Sequence, residues 1–190
     1  MTRLIKTLKM SQSFSESVTK VLFQMQKLSS TAPGSGATLT TDKSVRPFTV
    51  LVEGNIGSGK TTYLNHFTKF QQDIDIVMEP VEEWRNLNNK HNLLQMMYED
   101  PGRWSLMFQT YVQLTMLKNH TRISQKPVKM MERSLFSAKY CFAENLRRSG
   151  KMPESEYQVL TKWFDYMINS PQINLSVDLI VYLKVKFVLL

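Results

Sequence analysis

Val50-Leu51-Val52-Glu53-Gly54-Asn55-Ile56-Gly57-Ser58-Gly59-Lys60-Thr61-Thr62 is the stretch whose reading decides the fold. An apolar run enters a glycine-rich turn, and a helical pattern begins at Lys60. The G-x-x-x-x-G-K-T spacing is that of a phosphate-binding loop. Glycines at 54, 57 and 59 allow torsions that a Cβ resists, so successive N–H groups can converge on an anion. A nucleotide is therefore expected along Gly54, Asn55, Ile56, Gly57, Ser58, Gly59, Lys60, Thr61 and Thr62. Lys60 would bridge its β- and γ-phosphates, Thr61 would ligate Mg²⁺, and the positive end of the helix would add to both.

From Phe48 onward the pattern alternates. Short apolar strands are expected at 48–53, 74–78, 128–132 and 178–183, with helices at 60–70, 91–99, 103–120, 135–149 and 154–169. That alternation predicts an α/β fold, a parallel sheet with helices on both faces. Ligands of such sheets bind beyond the carboxyl ends of the strands. The residues there are the phosphate loop, then Glu79-Pro80, then Glu132-Arg133-Ser134.

Glu79 could take a proton from a nucleophilic hydroxyl in line with a γ-phosphate, though by position alone it reads equally as a solvated loop acid. Glu132 and Arg133 could serve Mg²⁺ and phosphate charge, or form a local ion pair. On helix 103–120, Trp104, Met107, Phe108, Tyr111, Leu114 and Leu117 form a core stripe, with Gln109 off it. A glutamine amide can read a base edge in a bidentate way; an exposed one is usually mere surface. Trp84, Tyr98 and Phe142 read as pocket or core aromatics.

A chain of 190 residues, 42% apolar, can bury a substantial core. No run approaches membrane-span length. The single Cys141 excludes a disulfide framework. Of the net charge of +8, residues 1–47 carry seven Lys/Arg against the two acids Glu16 and Asp42. The remainder is only mildly basic, which argues against a nucleic-acid partner. The basic, Ser/Thr-rich, amphipathic start suits a mitochondrial transit peptide; a disordered cytoplasmic or nuclear extension is the alternative. Residues 29–47 read as linker.

Taken together, these motifs resemble the deoxyribonucleoside kinase family, and within it the insect multisubstrate and mitochondrial thymidine-kinase branches. The resemblance spans roughly Phe48 to Lys184. It rests on the phosphate loop, Glu79-Pro80-Val81-Glu82-Glu83-Trp84, Phe108-Gln109-Thr110-Tyr111, Glu132-Arg133-Ser134 and Tyr140-Cys141-Phe142. It implies ATP and Mg²⁺ as cofactors, a deoxynucleoside substrate phosphorylated on its 5′-hydroxyl in nucleotide salvage, and a homodimer formed through helices 103–120 and 135–149.

By the same resemblance Glu79 is the general base, while Arg133 and Lys60 act at the reacting phosphate. Glu132 joins Thr61 in holding Mg²⁺. Gln109 would bond the base, Phe142 stack on it, Trp84 pack against sugar and base, and Tyr98 contact the 3′-hydroxyl. Ile56, Met97, Phe108, Val112, Met116 and Ala138 would line the pocket. The small Ala138 implies that pyrimidines are preferred and purines tolerated.

The resemblance also predicts departures. A domain over 48–184 would lack the family's arginine-rich lid and last strand, and 185–190 would be an atypical tail. The expectation is then a poorly soluble, weakly active or inactive form, with a non-enzymatic nucleotide-binding or dimer-partner role as the alternative. A GTPase is rejected, since no D-x-x-G follows a strand and Asn88-Asn89-Lys90-His91 lacks the aspartate of N-K-x-D.

Overall fold

A computed structural model describes residues 6–9 and 46–184. In chain order the elements are β1 Lys6–Lys9, β2 Phe48–Gly54, α1 Lys60–Asn65 with a 3₁₀ turn His66–Phe70, and β3 Ile74–Val77. Next come α2 Val81–Arg85, α3 Leu93–Glu99, α4 Pro101–Thr121 and β4 Val128–Glu132. The helix α5 runs from Leu135–Ser137 through a π turn, Ala138–Ala143, to Glu144–Arg148. Helix α6, Glu154–Asn169, and strand β5, Leu179–Leu183, complete the described chain.

All strands are parallel, in the order β1-β5-β2-β4-β3. The four expected strands are present and β2 lies centrally, with Leu51 beside both Met131 and Ile180. Its side chains alternate between two cores, as a strand covered on both faces requires. Val50 and Val52 meet Tyr63, Leu64 and Phe67 of the α1 region, all fully buried. Leu51 turns the other way, onto Val77 and Met131 beneath Phe136. Each such apolar side chain contributes about 1.5–3 kcal/mol on burial. The largest core lies among the helices, where Trp84, Phe108, Met116, Leu135, Leu160 and Phe164 pack together.

Local chemistry sets the helix starts. The Asn92 side chain accepts from Gln95 N at 3.0 Å, so α3 begins at Leu93 rather than at the expected residue 91. Asp100 accepts from Arg103 N at 3.3 Å, and Pro101 occupies the first helical position, where its missing donor costs nothing. The helix expected at 60–70 tightens to 3₁₀ after Asn65, and the one expected at 135–149 contains the π turn.

The reading of residues 1–47 needs two corrections. Lys6–Lys9 form a strand paired with β5, from Lys6 opposite Leu179 to Lys9 opposite Tyr182. The β5 edge is therefore paired at those positions. An edge offers free N–H and C=O groups to any extended segment, whatever its side chains. Arg46, read as linker, belongs to the folded body: its guanidinium donates to both Asp178 oxygens, at 2.6 and 2.7 Å. The rest of the expected extension and the 185–190 tail lie outside the described residues.

Candidate active site

The phosphate loop leaves the carboxyl end of β2 in the conformation its glycines permit. Gly54, Gly57 and Gly59 have φ of 150°, 75° and 82°. A Cβ on Gly54 would stand 2.6 Å from the Leu183 carbonyl oxygen and 2.6 Å from Ser58 Oγ, so only glycine fits there. Ser58 Oγ is buried without a hydrogen-bond partner, and the buried Lys60 donates through Nζ to the Asn55 carbonyl at 2.8 Å. Asn55, Thr61 and Thr62 are exposed on the loop and the first helical turn. A concave cradle with an orphaned hydroxyl and a lysine folded into it fits a polyphosphate.

Beside it, Thr61 Oγ1 donates to Glu132 Oε1 at 2.7 Å. The two bring hard oxygen donors together, the set that Mg²⁺ takes alongside substrate phosphates. Among the described residues, no group of three or more His, Cys, Asp or Glu could hold a metal on its own.

Glu79 follows β3 and Arg133 follows β4, so the parallel sheet delivers both to the same edge. Arg133 Nε lies 3.1 Å from Glu79 Oε1, and the pair is mostly buried. The guanidinium also sits 4.6 Å from the centre of the Phe142 ring. Arg133 reaches both through a left-handed backbone, φ 60°, unusual for a residue with a long side chain. Burial pushes the Glu79 carboxyl above its ordinary value of 4.5; the Arg133 charge draws it back, and Glu132 raises it further. Burial and the Arg133 charge lower the Lys60 ammonium from 10.5, against the pull of Glu132, Glu79 and Glu53.

Behind this pair opens a cavity of about 410 Å³. Its wall contains all twelve residues that the sequence singled out around the substrate. These are Ile56, Glu79, Trp84, Met97, Tyr98, Phe108, Gln109, Val112, Met116, Arg133, Ala138 and Phe142. Ile56 and Tyr98 stand at 75% and 69% exposure, whereas Gln109 is 2% exposed. The reading of Gln109 as surface is therefore excluded. Its Oε1 has no hydrogen-bond partner, leaving a buried acceptor that a ligand can satisfy. The ring of Trp84 crosses that of Phe108 at 87° with centroids 5.8 Å apart, and its Nε1 donates to Thr115 Oγ1 at 2.9 Å. The π turn in α5 places Ala138 and Phe142 on the same wall; π turns recur at functional sites.

Part of the wall has no role assigned from the sequence. Val81, Leu94 and Pro101, and the polar Ser134, Ser137, Asn145 and Lys151, also line the cavity. Glu53 was passed over as well, although it immediately precedes the phosphate loop. It accepts from Ser134 Oγ at 2.6 Å. The serine at the start of a helical pattern was a signal for a cap, and Ser134 and Ser137 do form a reciprocal capping box. Nothing in the sequence pointed to its second partner.

A parallel sheet with a phosphate loop at its centre, and a cavity opening at the same edge, defines a P-loop α/β protein of the kinase type. The sequence pattern of the deoxynucleoside kinases matches residues 50–188. The chain belongs to the deoxynucleoside kinase family. It is similar to mitochondrial thymidine kinase 2 of Homo sapiens, 54% identical over 135 residues, covering 71% of this chain and 49% of the relative. It is also similar to the deoxycytidine kinase of Homo sapiens, 38% identical over 156 residues and covering 71% and 60%. With deoxycytidine kinase 2 of Gallus gallus it shares 32% identity over 172 residues, covering 80% and 65%. The chain thus spans about half the length of its thymidine kinase relatives. The family match runs four residues beyond the limit at 184 that the sequence motifs suggested.

Proposed function

We propose that this chain transfers the γ-phosphoryl group of ATP to the 5′-hydroxyl of a deoxyribonucleoside. One observation carries the reading: a single cavity holds the unpartnered Gln109 Oε1 and, beside the phosphate loop, the Glu79–Arg133 pair. A nucleoside has a base edge and a hydroxyl at opposite ends, which those two groups match.

In this reading the base lies against Phe142 and presents its edge to Gln109. The 5′-oxygen then points at Glu79. Glu79 accepts the hydroxyl proton as the new O–P bond forms and the bond from the γ-phosphorus to the β–γ bridging oxygen breaks, releasing ADP. Arg133 lies against Glu79 and the developing phosphate charge, and Lys60 swings from Asn55 onto the β- and γ-phosphates. Phosphoryl transfer depends mostly on such positioning and charge stabilisation. Mg²⁺, held by Thr61 and Glu132, would neutralise phosphate charge when bound.

Two relatives are named for thymidine and deoxycytidine kinases, and the Ala138 wall is small. This supports pyrimidine deoxynucleosides as preferred substrates with purines tolerated, and a role in nucleotide salvage. The mitochondrial name of one relative and the basic start of the chain support a mitochondrial location, with the cytoplasm or nucleus as the alternative. No helix among the described residues is long and apolar enough to cross a membrane. Homodimerisation is proposed on family likeness.

The test is phosphorylation of thymidine and deoxycytidine with Mg-ATP, run beside Glu79→Gln. We expect weak turnover that falls by at least about 10²-fold in the variant, as loss of a general base does. Nucleoside binding without turnover would replace this reading with a nucleotide-binding role.

A further inference from the structure

Two consecutive ties join the end of β2 to the turn after β4. The Arg133 N–H donates to the Val52 carbonyl at 3.0 Å, and the Ser134 hydroxyl donates to Glu53 Oε1 at 2.6 Å. Between them sits Arg133 with its φ of 60°, a conformation that persists only where its surroundings over-determine it. On the far side, Ser134 Oγ accepts from Ser137 N at 3.0 Å, so the serine is held from two directions.

We propose that Glu53 is a positioning residue of this site. By accepting the Ser134 hydroxyl it keeps the turn wound, so that the Arg133 guanidinium lies against Glu79 and Phe142. The inference rests on the proposed nucleoside site and adds a residue to it. A purely structural role is a poor explanation for a carboxylate here. Glu53 is partly desolvated, burial raises its pKa, and the sheet needs no charge at that position. What the position offers is reach: the side chain leaves β2 one residue before the phosphate loop and grips the residue after Arg133. Phosphate loop and arginine are thereby coupled through a side-chain hydrogen bond in addition to the backbone tie at Val52.

The role predicts that the acceptor matters more than the charge. Glutamine keeps an oxygen for the Ser134 hydroxyl; alanine does not. In the full chain we would measure thymidine affinity by tryptophan fluorescence, since Trp84 lines the cavity, together with kcat, KM and melting temperature. Glu53→Ala and Ser134→Ala should each weaken thymidine binding by about tenfold, and the double variant should be no worse than either alone, as for residues in one network. Glu53→Gln should recover most of the loss. In an Arg133→Met background, Glu53→Ala should have no further effect on affinity.

A tenfold effect of Glu53→Ala that persists without Arg133, or a wild-type affinity in Glu53→Ala, would overturn the proposal. Should Glu53→Ala not fold, Ser134→Ala is read with and without Arg133→Met: a tenfold loss that vanishes in that background supports the proposal, and full affinity or a loss that persists there overturns it. Wild-type protein that binds thymidine without phosphorylating it would remove the kinase reading and leave this test intact. Wild-type protein that does not bind thymidine would remove both.

Discussion

Gly54 and Gly57 both adopt positive φ, yet they should respond very differently to a methyl group. A Cβ at 54 meets the Leu183 carbonyl oxygen and Ser58 Oγ at 2.6 Å each, whereas one at 57 has nothing within 4 Å. The serine can rotate away, but the carbonyl belongs to β5, which pairs with β2 at this point, Gly54 opposite Leu183. Relief therefore requires a backbone shift of about half an ångström or more at the last rung of the ladder, and overpacking of this kind costs about 1–3 kcal/mol. A torsion open to glycine alone adds about 1–3 kcal/mol.

The expectation for Gly54→Ala is thus a loss of about 4 kcal/mol, a large share of the ~5–15 kcal/mol that holds a domain together. Gly57→Ala should lose only the torsional part, about 1–2 kcal/mol. Urea unfolding of the two variants and the wild type measures the difference, with the denaturant slope m checked for constancy. In a thermal melt each kcal/mol is worth about 3–4 °C for a domain of this size, so the variants should separate by ~8 °C. Equal losses for the two would refute the reasoning, because they would show that torsion rather than contact governs this loop.

Two further outcomes follow from the buried polar groups. The Arg133 charge holds the Glu79 carboxyl below the level that burial alone would set. A general base must be unprotonated, so phosphorylation should fail as pH falls through the Glu79 pKa. In Arg133→Met that acid limb should move to higher pH, which a kcat/KM profile against pH reads; an unmoved limb would dissociate Glu79 from the titration. Gln113 is buried on α4 with Nε2 lacking a hydrogen-bond partner. Replacing it with methionine removes a desolvated donor at similar volume, and should raise the unfolding free energy by about 1 kcal/mol in urea titration.

How far the sequence could be read depended on how local the cause was. The strand–loop–helix at 48–65 was legible because backbone torsion and apolar patterning act over a few residues. Helix α2, Val81–Arg85, was not: at five residues it is too short to form on its own, and the packing of Trp84 on Phe108 holds it. The π turn was likewise invisible, because the side chains of 135–149 read as continuous helix.

From residue order alone came the α/β class, the phosphate loop and the strand ends at which polar residues collect, since each follows from periodicity and glycine chemistry within a short window. The pairing of Arg133 with Glu79, the grip of Glu53 on Ser134 and the burial of Gln109 required the folded chain. Partners 54 and 81 residues apart meet only where a parallel sheet brings separate strand ends to one edge. An amide is a candidate reader of bases only when its neighbours have closed it off from water.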